Sequence, residues 1–292
     1  MEPTAPPPKP EETSHTDARL KIYFLPNLMT GANLFCGFVA LTKIVQWDDK
    51  TGNYHDIKLA LLFILLACIF DLLDGRVARM GGHESPFGRE FDSLADVISF
   101  GAAPAFLVHR IVLAGVFHDS QQIGWFISSI YLLCGAFRLA RDNCLAAQAG
   151  TGGGKEFLGF PIPAAAGMVS SLTLFMIWLA EKGWLEERFE RSKWRFLLPA
   201  LMLFLSLMMV SEVKYPTFKK LDLRATKTFW KTLIALLFVG GALILQEKLL
   251  YWVLPLLFTS YLLYGFVRPR ISRKVRYEIE DDEDEDGPSS PA

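Results

Sequence analysis

The chain has no cysteine pair at CxxC spacing. Its four cysteines, Cys36, Cys68, Cys134 and Cys144, stand in or beside apolar blocks, which excludes a zinc ribbon or a disulfide framework and leaves buried thiols. Histidine is also sparse: none of the five has a partner at metal-ligand spacing, and His83 reads as a loop residue or a substrate-side contact. The amino terminus has no apolar core of the secretory kind. Its repeated prolines and acids predict a disordered tail over 1–18. EIEDDEDED predicts a second, acidic tail over 278–292, a solvated end or a regulator, and the domain proper over 19–277. GTGGGK is no phosphate loop, because Ala149 stands where glycine is needed and Glu156 where serine or threonine is needed, so it reads as a flexible loop. The net charge of −1 conceals basic clusters cancelled by the acidic tail, and it points to no nucleic-acid partner.

What the chain has in quantity is apolar sequence. Hydrophobic residues make up 51% of it and fall in long blocks, as in an integral membrane protein. Spanning a roughly 30 Å hydrocarbon core takes about 20 helical residues. Blocks near 25–46, 58–79, 93–117, 123–142, 161–180, 196–212, 228–246 and 249–267 predict an all-α, polytopic protein with about eight transmembrane helices. They are continuous rather than alternating, which favours helices over a barrel. Basic residues gather on one side of the blocks, among them Arg19, Lys21, Arg76, Arg79, Arg89, Arg138, Arg141 and Lys155, with further clusters at 214–227 and 268–276. That side is predicted to be cytoplasmic, with both termini on it, in the cell (inner, cytoplasmic) membrane. DARLKIYFLPN, ahead of the first block, has the mixed character of a short interfacial helix.

One stretch breaks the apolar pattern, DLLDGRVARMGGHESPFGREFDSLAD from Asp71 to Asp96. Asp71 and Asp74 are three apart and Asp92 and Asp96 four apart, so each pair projects from one helix face. Two such faces can converge on a cation. Divalent metal with oxygen ligands, Mg²⁺ or Mn²⁺, relieves the repulsion most simply. LALLFILLACIF, the purely apolar part of the second block, is too short to cross alone, so Asp71 and Asp74 complete that helix at its cytoplasmic end and Asp92 and Asp96 begin the next. Acids at such a depth are tolerated where they line a wet cavity or bind a partner. Gly75, Gly81, Gly82 and Gly88 allow a reversal between the helices, and Arg79 offers a planar donor fork to phosphate. Acids, small residues and arginine together suit a diphosphate-bearing substrate.

Other polar groups lie close to the same boundary. Pro26 starts the first block, and Asn27, Thr30 and Asn33 line one side of it, for capping and interhelical hydrogen bonds or facing the same cavity. RLARDN ends the fourth block, with Arg138 and Arg141 as snorkelling anchors or as ligands for a second anionic group. Ala164, Ala165, Ala166 and Gly167 in FLGFPIPAAAG permit tight helix contact, and YPTFKK forms part of the cytoplasmic rim. The last four blocks carry few polar groups and read as scaffold, lipid-facing surface or dimer contact.

The acidic stretch matches D-x2-D-G-x2-A-R-x8-G-x3-D-x3-D at every fixed position, Asp71, Asp74, Gly75, Ala78, Arg79, Gly88, Asp92 and Asp96. It resembles the signature of the CDP-alcohol phosphatidyltransferase family. PNLMTGANLFCGFVAL, RLARDN and FLGFPIPAAAG extend the resemblance to the family's membrane-embedded phosphatidylserine synthases, with Asp142 standing where phenylalanine is common. The resemblance implies transfer of a phosphatidyl group from CDP-diacylglycerol to the hydroxyl of L-serine, with release of CMP, in a homodimer. It implies that Asp71, Asp74, Asp92 and Asp96 hold one or two Mg²⁺ or Mn²⁺ ions and that Asp96 is also the general base. Gly75, Ala78, Arg79 and Gly88, with Pro26, Thr30 and Asn33, would shape the CDP site, and Arg138 and Arg141 would bind the acceptor or a phosphate. Direct in-line displacement is expected, since no Ser, Cys or His stands beside the acids as a covalent nucleophile.

Glycerol 3-phosphate or an inositol compound is not excluded as acceptor on chemistry alone; only the resemblance favours serine. An ion-coupled transporter would need polar groups recurring through several spans, whereas here they concentrate at one boundary.

Overall fold

Pro26 sits in the first turn of helix α1 (Phe24–Gln46), where its missing N–H leaves no intrahelical bond unmade. The computed structural model describes residues 24–48, 53–81, 85–148, 156–184, 195–216 and 251–264, and these are overwhelmingly helical. α2 (His55–Gly81) carries Asp71 and Asp74. α3 runs from Pro86 to Val116 as one helix, and α4 (Gln121–Gln148) follows a short 3₁₀ turn at His118–Ser120. α5 (Ile162–Glu181), α6 (Leu197–Val210) and α7 (Tyr251–Tyr264) complete the set.

Each of these seven helices falls on one of the eight expected spans; the block at 228–246, the loop at 150–155 and both tails lie outside the described residues. Among the described residues, four helices are long and apolar enough to cross a membrane, Pro26–Gln46, Pro86–Val116, His118–Ala147 and Ile162–Glu181. The count of eight is thus not reached among them. α2, with 27 residues, has the length, but Lys58, Asp71 and Asp74 put three charged residues into its apolar stretch. α6 has 14 residues, about 21 Å of helix against a core of roughly 30 Å. The chain is a multi-pass, all-α membrane protein.

α3 and α5 are the most buried of the long helices, while α1 and α4 keep an outward face. That face carries Phe35 and Phe38 on α1 and Phe126 and Phe137 on α4, all exposed, as lipid contact requires. Lipid tails are as apolar as leucine, so close packing rather than escape from water holds such helices together. The small residues of α5 serve that packing: Ala165 and Ala166 are fully buried, and a Cβ at Gly167 would collide with the Phe258 ring of α7.

The helices define two ends. At one, Lys58 Nζ pairs with Glu181 at 2.6 Å, joining the start of α2 to the end of α5. Aromatic rings gather there: Trp47 stacks on Tyr54, and Trp178 stacks on Tyr251 and meets Trp252 edge-on. Such rings favour the membrane–water interface. The aspartates lie at the opposite end.

A short ladder at that opposite end was not legible in the sequence. β1 (Glu156–Leu158) pairs antiparallel with β2 (Lys214–Pro216), placing Phe157 opposite Tyr215. The start of YPTFKK is therefore a strand. Gly159 follows β1 at φ 81°, where a Cβ would strike the Met209 carbonyl, and its N–H donates to Val213 O at 2.9 Å. The turn delivers Phe160 and Pro161 to the start of α5.

Candidate active site

Ser85 fixes where α3 begins. Its side chain accepts the Gly88 N–H at 3.0 Å, and Pro86 occupies the next position. Gly88 lets this end approach α1, for a Cβ there would stand 3.2 Å from Ser85 Oγ and 3.5 Å from Asn27 Oδ1. Asn143 of α4 donates to Ser93 Oγ at 3.0 Å and to Glu90 at 3.3 Å, securing the outer side of α3. Asp92 and Asp96 then face inward toward α2.

The two acid faces do converge. Asp71, Asp74 and Asp92 each offer an oxygen, and the three atoms lie within 4.8 Å of one another. At an effective dielectric of about 20, each ionised pair at that distance repels by about 3 kcal/mol. Oδ1 of Asp92 is buried without a hydrogen-bond partner. A lone acceptor among crowded carboxylates fits a divalent cation, since one ion both neutralises the charge and ligates the oxygen.

Asp96 is not one of this triad but lies near enough to feel the charge of all three. It is buried on α3 and accepts a hydrogen bond from Asn33 Nδ2 at 3.0 Å. Asp74, also buried, lies 3.0 Å from the Thr30 hydroxyl, which is 3.2 Å from the Pro26 carbonyl as well, so a single proton serves two acceptors in turn. The polar stripe of α1 therefore faces the acids and at the same time makes interhelical hydrogen bonds.

The expectation that no Ser stands beside the acids does not hold, for Ser93 directly follows Asp92. Its Oγ donates to the Arg89 carbonyl at 3.0 Å and accepts from Asn143, so it is committed to the helix surface. Gly75 lies on α2 beside Asp74, and α2 continues through Ala78 and Arg79, whose expected side-chain roles lie outside the described residues.

The two arginines of RLARDN part company. α4 continues past both to Gln148 rather than ending at Asn143. Arg138 is buried, pairs through Nη2 with Asp142 Oδ2 at 3.0 Å, and is near enough to Asp96 to feel its charge. Arg141 turns instead to the end of α6, donating to the Val210 carbonyl at 3.1 Å and the Met209 carbonyl at 3.5 Å. A guanidinium there answers helix carbonyls that lack intrahelical donors.

Sequence reasoning passed over Ser85, Ser93, Ser99, Tyr131 and Asn143. Serine and then proline ahead of a helical run is a capping signal that would have found Ser85. Pro104, four residues beyond Phe100, would have pointed to irregular backbone after Asp96.

Known proteins are similar to this chain in sequence. The family model described as CDP-alcohol phosphatidyltransferase matches residues 23–261. The chain is 32% identical over 247 residues to a CDP-diacylglycerol–serine O-phosphatidyltransferase of Helicobacter pylori, covering 85% of this chain and 91% of that protein. It is 32% identical over 197 residues to the enzyme of the same name from Bacillus subtilis, covering 68% of this chain and 92% of the other. An archaetidylserine synthase of Methanothermobacter thermautotrophicus is 35% identical over 189 residues, covering 61% of this chain and 70% of that protein. With the acidic signature intact and its carboxylates converging, the chain belongs to the CDP-alcohol phosphatidyltransferase family.

Proposed function

We propose that this protein transfers the phosphatidyl group of CDP-diacylglycerol to the hydroxyl of L-serine, giving phosphatidylserine and CMP. The observation that carries the chemistry is the convergence of the acids: Asp71, Asp74 and Asp92 form one cluster, and Asp96, near it, is oriented by Asn33. The relatives named for a serine acceptor carry the choice of substrate.

Asp71, Asp74 and Asp92 would hold Mg²⁺ or Mn²⁺, with Asp96 able to share a second ion. Such an ion supplies charge neutralisation on the diphosphate and on the departing CMP. Asp96 accepts the serine hydroxyl proton as the oxygen attacks the phosphorus bearing diacylglycerol. One P–O bond forms to serine, the P–O bond to CMP breaks in line, and the proton resides on the Asp96 carboxylate. Ser93 is tied to Arg89 and Asn143, which favours direct displacement over a covalent enzyme intermediate. Arg138, near Asp96, would receive the serine carboxylate, and Arg141 holds α6. Gly88 and the α1 residues Pro26, Thr30 and Asn33 flank the acids from the side where CDP would lie, with Gly75, Ala78 and Arg79 completing that wall by family resemblance.

The basic residues at the acid end, Arg76, Arg89, Arg138 and Arg141, support a cytoplasmic active site in the inner membrane. The family's usual homodimer is part of the same reading and is checked by cross-linking in the membrane.

Purified protein in detergent, given CDP-diacylglycerol, Mn²⁺ and single acceptors, should release CMP with serine. Release with glycerol 3-phosphate or an inositol compound but none with serine would overturn the acceptor.

A further inference from the structure

Asp96 ends the α-helical opening of α3, and the chain widens at once into a π-helix, Val97–Ala102, before α geometry resumes over Ala103–Val108. The sequence supplies a cause. Pro104 has no N–H to offer the Phe100 carbonyl four residues earlier, and in an α-helix its ring would press on that carbonyl. A π turn relieves the crowding but is rare and needs outside support; such turns concentrate at functional sites.

Two hydroxyls from buried side chains supply that support. Tyr131 of α4 donates to the Phe100 carbonyl at 3.2 Å, so the oxygen that Pro104 cannot serve receives a donor from another helix. Ser99 donates to the backbone carbonyl of Asn33 at 3.0 Å. Both side chains are fully buried. Asn33 is therefore engaged twice, accepting from Ser99 through its backbone and donating to Asp96 through its amide. The backbones come close here: a Cβ at Gly37 would collide with Ser99 Oγ and stand 2.8 Å from Ser99 Cα. The circuit Asp96–Asn33–Ser99 closes within one wide turn, and Tyr131 anchors the turn from the other side.

We propose that Ser99 and Tyr131 are positioning residues for the transfer reaction, their hydroxyls fixing the π turn so that the Asp96 carboxylate and its Asn33 partner face the acceptor hydroxyl. This rests on the reading of Asp96 as the base. Neither hydroxyl touches substrate; each acts through the backbone that carries Asp96. Small misplacement of a proton acceptor reduces the productive geometry while leaving substrate and metal contacts on α2 in place.

The test uses the full chain in detergent, measuring CMP release with CDP-diacylglycerol, Mn²⁺ and serine for Ser99→Ala, Tyr131→Phe, the double variant and Asp96→Asn, alongside melting temperature. Each single variant should lose about tenfold in kcat per folded enzyme, with KM for both substrates and the Mn²⁺ activation constant within about twofold of the parent. The double variant should fall short of the product of the two losses, because both hydroxyls hold one turn. Tyr131→Phe removes a single oxygen and retains the ring, so it gives a reading even if Ser99→Ala folds poorly. Parental kcat in both single variants, a loss confined to KM, or a loss that only tracks the folded fraction would overturn the positioning role. If Asp96→Asn keeps its turnover, the base assignment falls and the proposal with it. If Asp96→Asn is inactive while both hydroxyl variants match the parent, the positioning proposal alone is lost.

Discussion

Asn33 on the first helix donates through Nδ2 to Oδ1 of Asp96 on the third at 3.0 Å, while the oxygens of Asp71, Asp74 and Asp92 cluster beside it. The Asn33 bond orients one carboxylate oxygen. Replacing Asp96 by asparagine should lower kcat by about 10²–10⁴-fold, the range of a general base, with little change in melting temperature. Asn33→Ala should cost less, about tenfold, because the carboxylate remains and only its orientation is lost. CMP release under saturating substrates measures both.

Removing metal should abolish turnover, and restoring Mn²⁺ should recover it. A second signal comes from stability. Binding at about 100 times Kd stabilises the native state by about 2.7 kcal/mol, so Mn²⁺ should raise the melting temperature of the parent. Asp92→Asn should lose most of that gain, yet melt no lower than the parent in chelator, since it removes repulsion of about 3 kcal/mol per ionised neighbour. A thermal scan with and without chelator reads both effects.

Thr30 shares its hydroxyl proton between Asp74 and the Pro26 carbonyl. Thr30→Val keeps the shape and removes the donor, leaving a buried carboxylate short of a hydrogen bond worth about 1.5–3 kcal/mol. The Mn²⁺ activation constant should rise in Thr30→Val and stay near the parent in Thr30→Ser. A metal titration of activity distinguishes them.

Arg138 and Arg141 should behave differently despite their shared motif. Arg138→Ala should raise the KM for serine, provided Asp142→Asn is introduced with it so that no lone acid remains beside the site. Arg141→Ala should lower the folded yield and melting temperature by loosening α6, with the serine KM of the surviving enzyme unchanged. Steady-state kinetics on the monodisperse fraction separates binding from folding.

Gly159 occupies a left-handed conformation against the Met209 carbonyl. Gly159→Ala combines backbone strain of about 1–2 kcal/mol with a collision that the ladder cannot relieve without moving β2. Reduced folded yield in detergent, seen by size-exclusion chromatography, is the expected result.

Much of this architecture is local information. Blocks of apolar sequence predicted each described helix to within a few residues at most ends, because burial in lipid demands length and apolarity of every segment separately. The three- and four-residue spacing of the aspartates placed each pair on a face, and Pro26 marked a helix start, since helical periodicity and capping act within a few residues. The strand pairing of Glu156–Leu158 with Lys214–Pro216 left no local trace, because three residues are too few for a pattern and the partner lies far along the chain.

The sequence by itself determined that this is a multi-pass helical membrane protein with four acids on two helix faces. Tertiary structure alone decided that three acids cluster while the fourth bonds to Asn33, that Arg141 serves α6, and that a π turn supports Asp96. The reason is distance along the chain: Asn33 reaches Asp96 across 63 residues, Tyr131 reaches Phe100 across 31, and Arg141 reaches Val210 across 69. Whether such groups meet depends on how the helices cross, and no local preference encodes that.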